Sequence, residues 1–328
     1  MTGSLLRTVA MAEETDLSKK RIMVTGASGF LGRFVINQLL KRKAAVKNIF
    51  APTHQEYDLT KLTKVKKTYQ DFKPQIVIHL AGKVGGIEAN RKSPGAFFYE
   101  NLLMGTQIIE QARFSNVEKF VCLGTVCSYP KFTPVPFKEE NLWNGYPEET
   151  NAPYGLAKKA LLTQLQAYHQ QYNFNGIYLI PVNLYGPFDH FDSWSSHVIP
   201  SLIKKIFTAK KEGKDKVIVW GTGKPTREFL YVEDAAQAIV QATEKYNKPE
   251  PVNIGGGCEI SIANLAKLIA KILKFRGIII FDPTKPDGQP RRQLNVERAK
   301  KEFGFTAKTD LETGLTKTIK WYRQFNNL

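Results

Sequence analysis

Short apolar runs alternate with longer segments of helical periodicity through the first half of the chain. Runs rich in β-branched residues predict strands, and segments with a 3.6-residue apolar period predict helices. The predicted strands are 21–25, 46–50, 75–80, 119–123 and 176–181, and the predicted helices are 30–42, 97–114 and 154–172. Alternating strands and helices are typical of βαβ units, which make their strands parallel. The pattern therefore predicts an α/β fold with a doubly wound parallel sheet.

The pattern loosens after residue 182. Joints rich in proline and glycine separate two further predicted helices, 198–210 and 262–273. We expect a smaller C-terminal α/β substrate domain here, with a brief return of the chain to the first domain. The predicted dinucleotide-binding domain is 20–182 with 226–257, and the predicted substrate domain is 183–225 with 258–328.

Composition narrows the class of protein. The chain is 42% hydrophobic and 23% charged, and none of its apolar stretches reaches the roughly 18 residues that a membrane span needs. Residues 1–20 hold a short apolar patch broken by Arg7, which predicts a loose leader or mobile tail. The three cysteines cannot all pair and lack metal-ligand spacing. We therefore predict a cytoplasmic protein with no membrane span and no metal site.

The formal net charge of +17 would attract anionic partners of many kinds. The lysines are scattered over predicted helical faces, as at 64–67 and 204–211, and are not interleaved with aromatic residues as in RNA-reading motifs. Solvated helix faces are the simpler interpretation. We expect no nucleic-acid partner.

A glycine-rich loop joins the first predicted strand directly to the first predicted helix. Glycine permits a tight turn and a close approach to a pyrophosphate, and the helix N-terminus adds N–H groups and a positive dipole. A simple turn is the alternative, but the strand before the loop and the helix after it favour a dinucleotide site. The predicted contacts in the loop are Gly26, Ser28, Gly29, Phe30, Leu31 and Gly32.

The end of the second predicted strand bears on the choice of cofactor. An acidic residue there would bind the ribose 2′-hydroxyl and select NAD, but residues 50–54 read Phe-Ala-Pro-Thr-His. This favours NADP(H) and leaves NAD(H) open. The cations that could meet a 2′-phosphate are Arg33, Arg42, Lys43 and His54, and the histidine could equally be an exposed loop residue.

Tyr154 and Lys158 are four residues apart on one face of a predicted helix. The ammonium is expected to lower the phenol pKa towards neutrality, so that Tyr154 can exchange a proton with a substrate oxygen during hydride transfer. Chance produces this spacing often, so its position matters. The preceding strand ends near Thr125, whose hydroxyl could face the same carbonyl.

The glycine loop, the strand-end hydroxyl and the Tyr-x-x-x-Lys pair together resemble the extended short-chain dehydrogenases/reductases, from about residue 21 to the C-terminus. Longer strings resemble the GDP-L-fucose synthase family: 79–87, 127–130, 183–187, 196–200, 227–230 and 285–288. The resemblance implies a Rossmann sheet, a GDP-sugar substrate, NADPH and a homodimer. It also implies epimerisation of GDP-4-keto-6-deoxy-D-mannose at C3 and C5 through enolates, followed by reduction at C4.

The resemblance also implies residue roles. Cys127 stands where the family has a thiol base and His197 where it has the opposing acid, in addition to Thr125, Tyr154 and Lys158. Without the resemblance, Cys127 would be a small buried hydrophobe and His197 a loop or cap histidine. The further expected cofactor contacts are Asp58, Leu59, Leu80, Ala81, Gly82, Pro181, Asn183 and Leu184.

The expected substrate contacts are Asn151, Asn183, His197, Val198, Lys205, Trp220, Arg227 and Arg292. The two arginines are the candidates for the diphosphate, because a guanidinium fork binds it in fixed geometry. Asn151 could touch the sugar or cap the next helix, and Lys205 could be a solvated helix residue. Two alternative functions stay open: a GDP-hexose or GDP-heptose epimerase without net reduction, and a non-catalytic dinucleotide-binding interaction protein.

Overall fold

The computed structural model describes residues 14–192, 196–285 and 287–325. The strands are β1 (Ile22–Thr25), β2 (Ile49–Phe50), β3 (Ile76–His79), β4 (Lys119–Leu123), β5 (Gly176–Pro181), β6 (Asn183–Tyr185), β7 (Lys216–Trp220), β8 (Thr226–Tyr231), β9 (Val252–Ile254), β10 (Glu259–Ser261) and β11 (Ile278–Asp282). The helices are α1 (Phe30–Lys41), α2 (Leu62–Phe72), α3 (Ile87–Lys92), α4 (Pro94–Phe114), α5 (Ala152–Tyr172), α6 (Val198–Lys211), α7 (Val232–Lys245), α8 (Ile262–Leu273), α9 (Glu297–Phe303) and α10 (Leu311–Phe325).

Six strands form one sheet in the order β2-β1-β3-β4-β5-β9, and every neighbouring pair is parallel. All residues of β1, β3 and β4 are buried, as expected of strands covered by helices on both faces. From β1 the chain continues to β2 at one edge of the sheet, and from β3 it continues to β4 towards the other edge. The order of strands therefore changes direction between β1 and β3. Their carboxyl ends open the crevice where open α/β sheets bind ligands. The predicted doubly wound α/β fold is confirmed.

The helices form two packed layers. In one layer α4 packs along α5 and α2, and in the other α1 packs along α7. Opposite faces are expected, because β1 connects to β2 and β3 connects to β4 in opposite directions across the sheet.

A second hydrophobic cluster lies among α6, α8 and α10, with Ile203, Leu265 and Leu315 fully buried in it. It packs beside a three-stranded sheet, β10-β8-β6, and a two-stranded parallel sheet, β11-β7. Strand β9 returns to the main sheet, while α9 contributes Ala299 and Phe303 to the main core. The predicted domain boundaries therefore stay a proposal.

Three predicted segments differ from the structure. The strand predicted at 46–50 is wrong at its start, where Val46–Asn48 form a 3-10 turn and only Ile49–Phe50 pair with β1. The helix predicted from residue 97 begins at Pro94, because proline suits the first turn of a helix. The helix predicted from residue 154 begins at Ala152.

The predicted leader comprises residues 1–20, of which residues 1–13 lie outside the described part of the chain. The prediction of a loose tail is wrong for residues 14–20. The Leu17 side chain is only 2% exposed and belongs to the main core, and the Thr15 N–H donates to the Glu244 carbonyl at 2.9 Å. Burial of the leucine fixes this segment against the folded domain.

Residues 287–295 cross from the second cluster back to the main domain. The Phe137 N–H donates to the Gln293 carbonyl at 2.8 Å, and the Asn295 N–H donates to the Phe137 carbonyl at 2.9 Å. On its other side the crossing segment meets β8, whose Glu228 N–H donates to the Arg292 carbonyl at 3.0 Å. Backbone pairing on both sides fixes the position of Arg292.

The fully buried carboxylate of Glu228 joins β8 to two loops. It accepts the Leu294 N–H at 2.6 Å and the Gly257 N–H at 2.7 Å. A Cβ on Gly255 would lie 2.2 Å from Glu228 Oε1, so the loop can approach only as glycine. Burial raises the pKa of Glu228 to about 7 against the effect of these backbone donors.

Glu228 makes folding stability depend on pH. Its folded pKa lies above the ordinary 4.5, so the folded state binds the proton more tightly, and stability falls as the pH rises from 4.5 to about 7. Replacing Glu228 by glutamine removes this titration. We expect the loss of unfolding free energy across that range to shrink by on the order of 3 kcal/mol in Glu228→Gln, measured by urea unfolding at the two ends.

The matched control is Glu250→Gln, at an exposed carboxylate on the surface. It should keep the wild-type pH dependence. An unchanged pH dependence in Glu228→Gln would contradict the buried titration.

Candidate active site

The loop between β1 and α1 holds three glycines in close backbone contact. Gly26 has φ +70°, in the left-handed region, and a Cβ there would lie 2.8 Å from the Ala81 backbone nitrogen. A Cβ on Gly32 would lie 2.2 Å from the Gly26 carbonyl oxygen. The cap residue Gly29 has no side chain to occupy the N–H groups that open α1. This cradle fits a dinucleotide pyrophosphate.

The segment after β3 forms the next wall of the crevice. The Thr25 hydroxyl lies 2.8 Å from His79 Nδ1 and accepts the Ala81 N–H at 3.2 Å. Burial, and secondly the charge on Lys158, lower the pKa of His79 to about 3, so this imidazole stays neutral. Prediction from the sequence missed Thr25 and His79, which fix the strand ends beside Leu80 and Ala81.

Gly82 brings the cofactor wall to the lysine of the predicted pair. A Cβ on Gly82 would lie 2.9 Å from Asn101 Oδ1 and 3.6 Å from Lys158 Nζ. Asn101 also accepts the Lys83 N–H at 3.1 Å, another contact that the sequence did not reveal. The structure therefore places Lys158 beside the segment expected to contact the cofactor.

The remaining predicted cofactor residues lie around this crevice or hold its walls. Pro181 ends β5, and Asn183 and Leu184 lie in β6, where the Asn183 amide donates to the Glu228 carbonyl at 2.9 Å. Asp58 accepts the Thr60 N–H at 3.0 Å, and the neighbouring Leu59 is buried. Phe30 and Leu31 pack against the main core, while Ser28 is exposed.

The structure separates the four cations considered for a 2′-phosphate. Arg42 donates to the Glu244 carboxylate at 2.9 Å, so its charge is already paired within the protein. Lys43 has φ +62° in the turn that follows α1. The His54 side chain is 82% exposed, with Nδ1 4.0 Å from Asp58. Arg33 is held close to the loop, because Nε donates to the Ser28 carbonyl at 3.0 Å and its guanidinium lies over the Phe188 ring at 5.1 Å.

The predicted catalytic residues meet where α5 crosses the turn after β4. A Cβ on Gly155 would lie 2.4 Å from the Cys127 carbonyl oxygen, so only glycine permits this approach. Thr125 begins the turn and accepts the Cys127 N–H at 3.2 Å. Its hydroxyl is also close enough to the Tyr154 phenol to lower the pKa of that group. Thr125, Cys127 and Tyr154 are therefore brought together.

The expected lowering of the Tyr154 pKa by Lys158 is wrong. Burial raises the pKa of Tyr154, Cys127 raises it further, and the Thr125 hydroxyl opposes both. Burial lowers the pKa of Lys158, whose residue is only 4% exposed. The phenol is therefore held in its protonated form, as a hydrogen-bond and proton donor requires.

Two arginines of the second half of the chain reach the same place. Arg292 Nη1 donates to Cys127 Sγ at 3.5 Å. Arg227 donates to the carbonyls of Thr226 at 2.7 Å and Asp287 at 3.5 Å. Burial, and secondly the charge on Arg292, lower the pKa of Arg227 to about 9. Two adjacent guanidiniums of this kind attract an anion.

His197 lies at the N-terminus of α6, immediately before Val198, and its side chain is exposed. Desolvation, and secondly the charge on His190, lower its pKa. Among the described residues, no hydrogen bond joins His197 to Cys127 or Tyr154. Residues 193–195, which precede it, lie outside the described part of the chain.

Lys205 and Trp220 form a separate corner with Lys285. The two ammonium groups lie 5.3 Å and 5.6 Å from the centre of the indole ring, which is 56% exposed. Lys205 is exposed, its ammonium donates to the Ile218 carbonyl at 3.5 Å, and desolvation lowers its pKa, so the alternative of a solvated helix residue stays open. Of the string 285–288, Pro286 lies outside the described residues.

Asn151 is the N-cap residue of α5, and its carbonyl accepts the Gly155 N–H at 2.8 Å, but its side chain makes no cap hydrogen bond. Its amide instead donates to the Glu148 carboxylate at 2.7 Å. The charge on Glu148 acts to raise the pKa of Arg227, so Glu148 and the Asn151 bonded to it lie near the two arginines.

Neither a metal site nor a membrane-spanning helix is found in the described residues. No group of three or more histidine, cysteine, aspartate or glutamate side chains suited to a metal occurs within residues 14–192, 196–285 and 287–325. In the same residues, no helix has the length and apolar character needed to cross a membrane.

Comparison with known proteins agrees with this geometry. The family model described as NAD dependent epimerase/dehydratase matches residues 22–255. A GDP-L-fucose synthase of Sinorhizobium fredii (strain NBRC 101917 / NGR234) is 44% identical and covers 93% of this chain and 96% of its own. GDP-L-fucose synthase 1 of Arabidopsis thaliana is 40% identical, over 95% and 96%. A GDP-L-fucose synthetase structure from Naegleria fowleri bound to NADP has a TM-score of 0.86 and 26% identity, covering 96% and 98%.

Arg33 is the cation best placed to meet a 2′-phosphate at the glycine loop. We expect Arg33→Ala to raise the KM for NADPH about tenfold and to leave the KM for NADH nearly unchanged, since a charge-assisted contact to the phosphate is lost. Steady-state kinetics with each cofactor measures both values. His54→Ala is the matched control, and a larger loss of NADPH preference there would transfer the role to His54.

Proposed function

The chain belongs to the NAD dependent epimerase/dehydratase family, and we propose that it converts GDP-4-keto-6-deoxy-D-mannose to GDP-L-fucose with NADPH as reductant. One observation carries the proposal: α5 crosses the turn after β4 so closely that Gly155 meets the Cys127 carbonyl, which brings Tyr154 near the turn that holds Thr125 and Cys127. A protonated phenol and a thiol therefore lie beside one another. One carbonyl centre could use the first for reduction and the second for epimerisation.

NADPH, when bound, supplies the hydride that reduces the C4 ketone. The cradle of Gly26, Gly29 and Gly32 would hold its pyrophosphate against the α1 N-terminus. Lys158, beside Gly82, would hold the ribose. These residues bind and orient, which converts an encounter into a positioned reaction.

Epimerisation begins with a proton next to the ketone. The Cys127 sulfur removes that proton from C3 or C5, and the electron pair of the C–H bond moves to the ketone oxygen. Tyr154 and Thr125 donate hydrogen bonds to the oxygen as its charge develops. His197 then delivers a proton to the opposite face of the carbon, which inverts it.

Reduction uses the same oxygen. Tyr154 gives its proton to the oxygen of C4 as the ketone becomes an alcohol. Burial keeps this proton on the phenol beforehand. Lys158 stabilises the phenolate that remains, so the tyrosine can be reprotonated for the next turnover.

The GDP portion has two partners in this proposal. Arg227 and Arg292 would bind the diphosphate, supported by their burial and by the influence of each charge on the other. Trp220, with Lys205 and Lys285, would contact the nucleotide, while Asn151, Asn183 and Val198 would contribute to the walls. An arginine fork suits the diphosphate and an indole face suits a base.

The other functions considered need separate tests. A GDP-sugar epimerase without net reduction would use the same thiol, imidazole and phenol, so only the redox state of the product separates it. A non-catalytic dinucleotide-binding protein would not need Tyr154 and Cys127 close together. Their proximity favours an enzyme. The proposed reaction does not involve a nucleic acid.

We further propose a cytoplasmic homodimer. A groove of about 690 Å³ runs among α2, α4 and α5. Its wall includes Leu62, which is 50% exposed, and Phe114, which is 64% exposed. Exposed apolar residues along two long helices suit a self-complementary interface. The three cysteines, all free, suit a reducing compartment.

The direct test is consumption of NADPH by the purified chain with GDP-4-keto-6-deoxy-D-mannose, followed by absorbance. We expect oxidation with the wild type and a loss of at least about a hundredfold in kcat with Tyr154→Phe, because the phenol proton is the one delivered. The fold should be retained, since the ring still packs against Phe97.

Tyr172→Phe serves as the control at an exposed tyrosine of the same helix. It should oxidise NADPH at the wild-type rate. If the wild type oxidises no NADPH at any substrate concentration, the proposed reaction is wrong. A wild-type rate in Tyr154→Phe would show that Tyr154 is not the acid.

Cys127 is tested through proton exchange. We expect Cys127→Ala to slow deuterium uptake from solvent at C3 and C5 by about a hundredfold, and to slow reduction less, because the base is lost while the phenol remains. Mass spectrometry and NMR of the sugar measure the uptake. Cys258→Ala, at the exposed cysteine, should exchange normally. Uptake at the wild-type rate in Cys127→Ala would contradict the thiol base.

A further inference from the structure

The Cys127 sulfur has a guanidinium as its neighbour. Arg292 Nη1 donates to Cys127 Sγ at 3.5 Å, across 165 residues of chain. The arginine residue is only 7% exposed, whereas Cys127 retains partial exposure. A buried donor therefore points at a sulfur that a ligand can still reach.

A second residue fixes the direction of this guanidinium. Arg292 Nε donates to Gln289 Oε1 at 3.1 Å, and the Gln289 amide donates in turn to the Lys131 carbonyl at 2.8 Å. Gln289 is 5% exposed. The Gln289 nitrogen is held by the Lys131 carbonyl, so the Gln289 oxygen is free to accept from Arg292 Nε. This bond fixes the guanidinium with Nη1 facing the sulfur.

The charge on Arg292 has no anion in this arrangement. Within residues 14–192, 196–285 and 287–325, its side chain donates to Gln289 and Cys127 and forms no salt bridge with a carboxylate. Its neighbour Arg227 is a second, half-buried cation, and a negative charge on Cys127 favours the charged form of Arg227, as do the carboxylates of Asp287 and Glu148. An anionic sulfur is therefore the species that this pocket stabilises.

We propose that Arg292, oriented by Gln289, is a positioning residue that holds Cys127 as a thiolate aimed at the sugar. This inference rests on the proposed function, in which Cys127 is the base. The thiolate takes the proton from C3 or C5 and becomes a thiol, while the C–H electron pair moves to the C4 oxygen. Arg292 keeps its own protons throughout. On reprotonation of the opposite face by His197, the thiol proton returns to solvent and the imidazole takes up a proton from solvent, which restores the site.

The test needs no substrate, because the thiolate is the form that alkylates. Iodoacetamide, a neutral reagent, is added to the whole protein, and peptide mass spectrometry gives the rate at Cys127. Loss of the charge-assisted contact in Arg292→Gln should slow this rate about tenfold. Gln289→Ala should slow it a few-fold, since the cation stays but is no longer oriented.

Two internal references guard against misfolding. Cys258 is exposed, and its alkylation rate should stay constant in every variant. Arg291→Gln is the matched control, because Arg291 is the next residue in the chain and bonds the Glu259 carboxylate on the surface. It should leave the Cys127 rate at the wild-type value. Arg292→Lys, which keeps the charge without the fork, should give an intermediate rate.

The result that overturns the proposal is an unchanged alkylation rate in both Arg292→Gln and Gln289→Ala with Cys258 constant. If Arg292→Gln raises only the KM for the GDP-sugar, Arg292 serves the diphosphate alone and the proposal is also wrong. Failure of the proposed function is a separate outcome: Cys127→Ala would then exchange deuterium normally, whatever the alkylation rates are.

Discussion

The site depends on one steric constraint, the contact between Gly155 of α5 and the backbone of Cys127. A Cβ at Gly155 would lie 2.4 Å from the Cys127 carbonyl oxygen, which is a steric overlap that would displace the helix. The contact sets the depth at which α5 crosses the turn, and so the distance from the phenol to the hydroxyl and the sulfur. Ser128 reinforces the crossing by donating to the Gly155 carbonyl at 2.9 Å. The chemistry follows from where a backbone is allowed to lie.

Electrostatics then distinguishes the groups that meet there. Lys158 is a buried cation and Arg227 a half-buried one, and desolvation shifts the pKa of each downwards. Tyr154 shifts in the opposite direction for the same reason, because burial disfavours whichever form is charged. The positive charge of this pocket is only partly compensated by the carboxylates of Asp287 and Glu148, which act on Arg227. An anionic ligand or an anionic sulfur relieves it, which couples substrate binding to the state of the site.

The sequence predicted the alternating strands and helices of the main sheet, and those site residues that belong to short motifs. Long buried strands such as β3 and β4 give clear apolar runs, whereas β2 pairs through only two residues at a sheet edge and is easily overestimated. Strands β7 and β11 carry the apolar runs 216–220 and 278–282 and could have been recognised.

What escaped prediction depends on contacts that are distant in the chain. The charge of Arg42 is paired by Glu244, 202 residues away, so its availability could not be judged locally. The direction of the Tyr154 pKa depends on burial, which the four-residue spacing to Lys158 does not report. Gln289 had no signal of its own, since its role appears only when residues 287–295 cross to the main domain.

That crossing has a consequence for how the enzyme is made. The sulfur and its guanidinium are separated by 165 residues, so the guanidinium is synthesised well after the sulfur. The N-terminal part of the main sheet can collapse early on the ribosome, but β9 and the crossing segment must arrive before it is finished. A nascent chain therefore carries a folded glycine cradle and an incomplete proton-transfer centre. Contacts of such high sequence separation are slow to form, so we expect the pairing of Arg292 with Cys127 to follow the folding of the glycine cradle.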